Sequence, residues 1–151
     1  MRQKPNHIRL CAALIAVNLV VIWGNSLLPG AISGAISDAV KSLIQSLFPD
    51  FGSGTSSGGG FLIRKLAHFT EFTCLGLLLS WFFAMKKRKM ILPFLLGTAA
   101  ACLDETIQMF VPDRGPGLAD VALDASGVLF GIVVFSIGKQ IAKTHFGGIK
   151  S

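Results

Sequence analysis

The chain has 151 residues, a formal net charge of +6, 52% hydrophobic residues and 15% charged residues, with a mean hydropathy of +0.64. Soluble domains carry about 25% charged residues, so this composition excludes an ordinary soluble domain and indicates an integral membrane protein built as one domain over residues 1–151. The basic residues fall in short clusters beside apolar runs and form no aromatic-interleaved face, which excludes nucleic-acid binding.

Four segments are long and apolar enough to cross a bilayer, which takes roughly 20 residues. They are residues 10–28, 66–85, 90–111 and 118–137. The predicted fold is therefore all-α, a four-helix transmembrane bundle with a short extracytoplasmic amphipathic helix. The first span follows Arg2, Lys4 and Arg9, but its apolar run exceeds the 7–15-residue core of a secretory signal, so a retained anchor is expected. The external loop, residues 29–64, holds Ile32, Ile36, Val40, Leu43, Ile44 and Leu47 at helical spacing within residues 31–48. That pattern fits an amphipathic helix on the outer surface or a lid packed across the bundle mouth. The Gly/Ser-rich run from Gly52 to Gly60 reads as a flexible hinge. It lacks the Lys-Ser/Thr that a phosphate-cradling loop requires.

Lys86, Lys87, Arg88 and Lys89 form the loop between the second and third spans, and Lys139, Lys143 and Lys150 mark the tail. Every Lys and Arg except Lys41, Arg64, Lys65 and Arg114 lies on the side of the termini, and all eight acids lie on the other. By the positive-inside rule both termini face the cytoplasm, as in a multi-pass protein of the cytoplasmic (inner) membrane. Cys11, Cys74 and Cys102 all fall in apolar spans. An odd number so placed indicates small packing residues rather than a disulfide framework.

Six acids sit inside or beside the second to fourth spans: Glu71, Asp104, Glu105, Asp113, Asp120 and Asp124. A charged side chain in the bilayer costs about 3 kcal/mol on insertion scales, so each marks a candidate functional site. Arg64, His68 and Glu71 are spaced i, i+4, i+7 and share one helical face. Asp104, Glu105 and Gln108 arrive only about 14 residues into the third span, roughly 20 Å from its cytoplasmic end. Asp120 and Asp124 share a face of the fourth span, which Gly127 and Gly131 continue as a stripe for close packing. These faces are expected to meet in the outer leaflet.

Arg64, Lys65 and Arg114 are too few to neutralise six acids, so either some carboxylates hold protons or a divalent cation is bound. His68 and Glu71 at i, i+3, with carboxylates from facing helices, resemble bundle metal sites, and one imidazole among oxygens suits Mg²⁺, Mn²⁺ or Zn²⁺. The alternative is a structural network, with Arg64 or Lys65 on Asp120 or Asp124, and Arg114 on Asp104 or Glu105.

The block Arg64-Lys65-Leu66-Ala67-His68-Phe69-Thr70-Glu71-Phe72 with Leu75-Gly76 resembles the VanZ-like family of small bacterial membrane proteins. So do Asp104-Glu105-Thr106-Ile107-Gln108-Met109-Phe110-Val111-Pro112 with Arg114, and Asp120-Val121 with Gly127 and Gly131. Ser26-Leu27-Leu28-Pro29-Gly30, with Ser33 and Ser37, resembles the family's serine-containing segment after its first span. Phe72 and Leu28 stand where the family commonly has tyrosine and glutamine. The resemblance implies an envelope protein linked to resistance to teicoplanin-type lipoglycopeptides, and it supplies no reaction. A first reading is a protein that lowers lipoglycopeptide susceptibility. Its partner would be a membrane lipid, a lipid-linked cell-wall precursor or the lipoglycopeptide itself, held by Arg64, Lys65 and Arg114, with Asp104, Gln108 and Asp120 completing the site. A second is a membrane-embedded hydrolase or transferase acting on such headgroups, in which His68, Glu71, Glu105 or Asp124 does acid–base work or holds a metal. A transporter fits least, since the spans show no inverted repeat and no polar path in the cytoplasmic half.

Overall fold

The computed structural model describes residues 5–48, 59–115 and 117–147. They form five helices and no strand among the described residues: α1 (Pro5–Ser26), α2 (Gly30–Leu47), α3 (Gly59–Met85), α4 (Ile91–Gln108) and α5 (Leu118–Gly147). Three of these contain stretches long and apolar enough to cross a membrane: Asn6–Ser26, Gly60–Met85 and Leu118–His145. The fourth expected span is shorter. Its 18-residue helix α4 is about 27 Å long at 1.5 Å per residue, and Asp104, Glu105 and Gln108 occupy its last turns.

Helix boundaries follow local chemistry. Pro5 sits at the start of α1, where a missing N–H costs nothing. The Gly/Ser run 52–58 lies outside the described residues, as do Arg2, Lys4 and Lys150, whereas Gly59 and Gly60 open α3 well before the expected Leu66. At the other end of α3, Lys87 adopts a left-handed φ of 51°. The Arg88 amide donates to the Phe83 carbonyl at 2.9 Å and the Lys87 amide to Ala84 at 3.1 Å. This paired 6→1 and 5→2 closure is a Schellman cap, and it turns the chain directly into α4. Thr70 and Thr73 donate to the carbonyls of Leu66 and Phe69 one turn back, at 2.8 and 2.7 Å, which satisfies both hydroxyls within their own helix.

Helix α3 is the hub of the bundle and shares its most extensive contact with α5. The contact is close because Gly76, Gly127 and Gly131 face the opposing backbone. A Cβ on Gly131 would strike the Thr73 carbonyl, and one on Gly76 the Val128 carbonyl. The expected small-residue stripe is thus the α3–α5 seam. Around it Ile22, Phe72, Leu75, Leu79, Ala100, Ala101 and Val128 form the buried apolar core. Large apolar side chains otherwise face outward, including Phe110 and Leu118, while Ser26, Asp104 and Asp124 are buried. That inverted distribution suits lipid as the surrounding solvent.

Helix α2 packs on α3 through its small polar side. Ser37 is buried, and a Cβ on Gly60 would meet Asp38 and Ser37. Its apolar residues Ile32, Ile36, Leu43 and Leu47 stay exposed. The helix therefore covers part of the bundle mouth without burying its apolar face there. The Gly30 amide donates to the Pro112 carbonyl at 3.1 Å, tying the start of α2 to the α4–α5 turn. Of the cysteines only Cys11 packs inside, its thiol 3.4 Å from the Leu78 carbonyl. Cys74 and Cys102 are exposed on helix surfaces, contrary to the expectation that all three fill the interior.

Candidate functional site

One end of the bundle collects the C-termini of α1 and α4, the N-termini of α3 and α5, and the α4–α5 turn. Helix α3 contributes Arg64, Lys65, His68 and Glu71 there, α4 contributes Asp104, Glu105 and Gln108, and α5 contributes Asp120 and Asp124. Asp104 and Asp124 are 0% and 2% exposed. Burial of this depth is sustained only with partners, and those partners organise the site.

Asp104 sits at the centre. The Gln108 amide, one turn on, donates to its Oδ2 at 2.7 Å and also reaches the Ser26 hydroxyl on α1 at 3.2 Å. His68 Nδ1 stands 3.9 Å from the same Oδ2. Donor atoms of His68, Asp104 and Asp124 all lie within 4.8 Å of one another, so α3, α4 and α5 each send one potential ligand to a common point. Glu105 accepts the backbone N–H of Gly117 at 3.0 Å, which anchors the start of α5 to α4. Lys65 forms an ion pair with Asp120, one of the pairings expected of a register-fixing network. Five polar atoms here are buried with no hydrogen-bond partner among the described residues: His68 Nδ1, Glu71 Oε2, Asp104 Oδ1, Glu105 Oε1 and Arg114 Nη1. Left unmatched, each would cost about 1–3 kcal/mol.

The polar residues divide between two cavities. A small one of about 20 Å³ lies among α3, α4 and α5, lined by Lys65, His68, Glu105, Gln108, Asp120 and Asp124, together with Arg64. A larger one of about 210 Å³ lies between α2 and α3. Ile36, Val40, Ile63 and Leu28 line its apolar side, and Asn25, Arg64, His68, Glu71 and Arg114 its polar side. Arg64 and His68 border both cavities and form the wall between them. Glu71 thus stands apart from Glu105 and Asp124, on the larger cavity, and Asn25 Nδ2 donates to its Oε1 at 2.6 Å.

Arg114 does not pair with Asp104 or Glu105. Its Nε and Nη2 donate to the carbonyls of Leu28 at 3.1 Å and Asn25 at 2.8 Å, capping the C-terminus of α1, where helix carbonyls lack partners and a cation is favoured. Burial, reinforced by like-charge repulsion from Arg64, draws this guanidinium below its ordinary pKa, although it stays protonated. Asn25 escaped the sequence reading, despite being a polar residue at the end of an apolar span and adjacent to Ser26. Deeper in the bundle, buried side-chain atoms of Asn18, Ser80 and Thr98 also lack partners among the described residues. In the sequence, where no polar path marks the cytoplasmic half, these neutral groups did not stand out.

No curated protein and no solved structure matches the chain. A family model described as VanZ/LLP1 matches residues 10–139, a span that includes every charged block of the site. This membrane protein therefore belongs to the VanZ/LLP1 family.

Proposed function

We propose that the chain is a VanZ-like protein of the cell envelope, set in the cytoplasmic membrane with both termini inside. In this reading its polar end opens to the outer leaflet and binds an amphiphile with an anionic headgroup. The carrying observation is the larger cavity, whose apolar side on α2 meets a polar side holding Arg64 and Arg114. No carboxylate of the described residues is within ion-pair distance of Arg64, and Arg114 Nη1 is buried without a partner. Two guanidinium groups beside an apolar wall are suited to a phosphate or carboxylate carried on a lipid chain. The exposed apolar residues of α2 extend that wall into the surrounding lipid. Lys65, which the sequence placed among the headgroup ligands, is held by Asp120 and serves the other cavity. The acceptor is a lipid-linked wall precursor or a membrane lipid, and its occupancy lowers susceptibility to teicoplanin-type lipoglycopeptides, which act at the same membrane face.

The test is expression of the chain in a susceptible Gram-positive host, with teicoplanin inhibition read against protein level. The native chain is expected to raise the inhibitory concentration, and Arg64→Gln to return it to the empty-vector value at equal abundance in the membrane. An unchanged inhibitory concentration with Arg64→Gln would overturn the assignment of the headgroup to this cavity.

A further inference from the structure

The interior side of the same end carries a second recognition element of different chemistry, which shares only His68 with the lining of the larger cavity. Three helices each contribute one donor to a single point: His68 from α3, Asp104 from α4 and Asp124 from α5, with all donor atoms within 4.8 Å of one another. Two of the three are essentially inaccessible, Asp104 at 0% and Asp124 at 2% exposed. At Asp104, Gln108 fixes Oδ2 at 2.7 Å with Ser26 a further polar neighbour of the carboxylate, and Oδ1 is buried with no hydrogen-bond partner among the described residues. His68 Nδ1 is likewise buried and unpartnered, 3.9 Å from Asp104. Of the cations nearby, Lys65 pairs with Asp120 and Arg114 donates through Nε and Nη2 to the end of α1, while Arg64 borders the small cavity without an ion pair to a carboxylate of the described residues.

We infer that His68, Asp104 and Asp124 form a binding site for one divalent transition-metal cation of the Zn²⁺ or Mn²⁺ class. A neutral imidazole and two carboxylates sum to a charge that such an ion cancels, which removes the cost of burying two like-charged groups side by side. A metal held at about 2.0–2.2 Å from each donor would space them roughly 3.3 Å apart, within reach of small side-chain rotations from the observed positions. The Gln108 amide on Asp104 supplies the outer hydrogen bond that ligating carboxylates characteristically receive. The adjoining cavity of about 20 Å³ has room for one water, enough for a fourth ligand. The mixed nitrogen and oxygen set suits Zn²⁺ or Mn²⁺, whereas Ca²⁺ takes an all-oxygen shell of six to eight ligands. The ion would join α3, α4 and α5 at the polar end, where the glycine seam leaves off.

The experiment uses the full chain in detergent, stripped with EDTA and then offered Zn²⁺, Mn²⁺ or Ca²⁺, with bound metal counted by mass spectrometry after desalting. Uptake of about one Zn²⁺ or Mn²⁺ per chain is expected, with a higher melting temperature and no retained Ca²⁺. His68→Gln, Asp104→Asn and Asp124→Asn should each lose the ion, while Asp38→Asn on α2 keeps it. Should those variants misfold, the wild-type protein loaded with Co²⁺ still reports the site, through the intense visible bands of a four-coordinate ion. Absence of metal uptake at neutral pH, or equal retention by all three folded variants, overturns the inference. Lipid binding by the EDTA-stripped protein is measured alongside, so loss of the metal site and loss of the amphiphile site are told apart.

Discussion

Asn25 and Glu71 show how little a polar residue's identity says about its partner. Glu71 belongs by spacing to the Arg64–His68 face of α3, yet its bonded oxygen is held by an amide on another helix, at 2.6 Å. Its other oxygen is buried without a partner among the described residues. Replacing Asn25 by Leu removes one hydrogen bond and leaves the carboxylate less satisfied, a loss of about 1 kcal/mol. On a Glu71→Leu background the same change should cost measurably less, a coupling of about 0.5 kcal/mol or more. Unfolding of the four proteins in mixed micelles reads this directly, and strict additivity would show that the contact carries no weight. Arg114 gives a parallel lesson. A guanidinium amid six acids reads as an ion-pair partner, but helix α1 ends beside it with unpaired carbonyls, and those are what it binds.

At the scale of elements, the seam between α3 and α5 sets how closely the helices carrying His68 and Asp124 pack. Gly131 lies against the backbone of α3, where a Cβ would meet the Thr73 carbonyl, whereas Gly138 has nothing within 4 Å. Gly131→Val should therefore destabilise the protein by about 1–3 kcal/mol through overpacking. Gly138→Ala should be neutral or stabilising by up to about 1 kcal/mol, from helix propensity alone. Equal melting temperatures for the two variants would mean that the seam is not the close contact described. Helix α2 was legible as an amphipathic helix over residues 31–48 because apolar spacing is a local property. Which side of it meets the bundle was not legible. The contact on α3 uses Ser37 and the space left by Gly60, features that carry no hydrophobic signal.

For the whole molecule, the charge asymmetry of the loops predicts a sidedness that cysteine labelling checks in intact cells. In a background without native cysteines, Gly115→Cys should react with a membrane-impermeant maleimide, and Arg88→Cys only after permeabilisation. Labelling of Arg88→Cys from outside would reverse the proposed orientation and move the site to the cytoplasmic face. The sequence alone determined the membrane class, the charged blocks and the family to which they belong, and three of its four expected spans are long apolar helices. All of these are written in runs and spacings along one segment. Helix α4 was the harder case, because the same acids that mark the site shorten its apolar run. Only the tertiary structure decided that Glu71 and Arg114 face one cavity while Asp104, Asp124 and Gln108 gather on the other side of His68. The physical reason is that helix rotation and depth are set by contacts between helices distant in the chain. Glycine against carbonyl on α3 and α5, and arginine against the end of α1, fix those angles, and no local pattern encodes them.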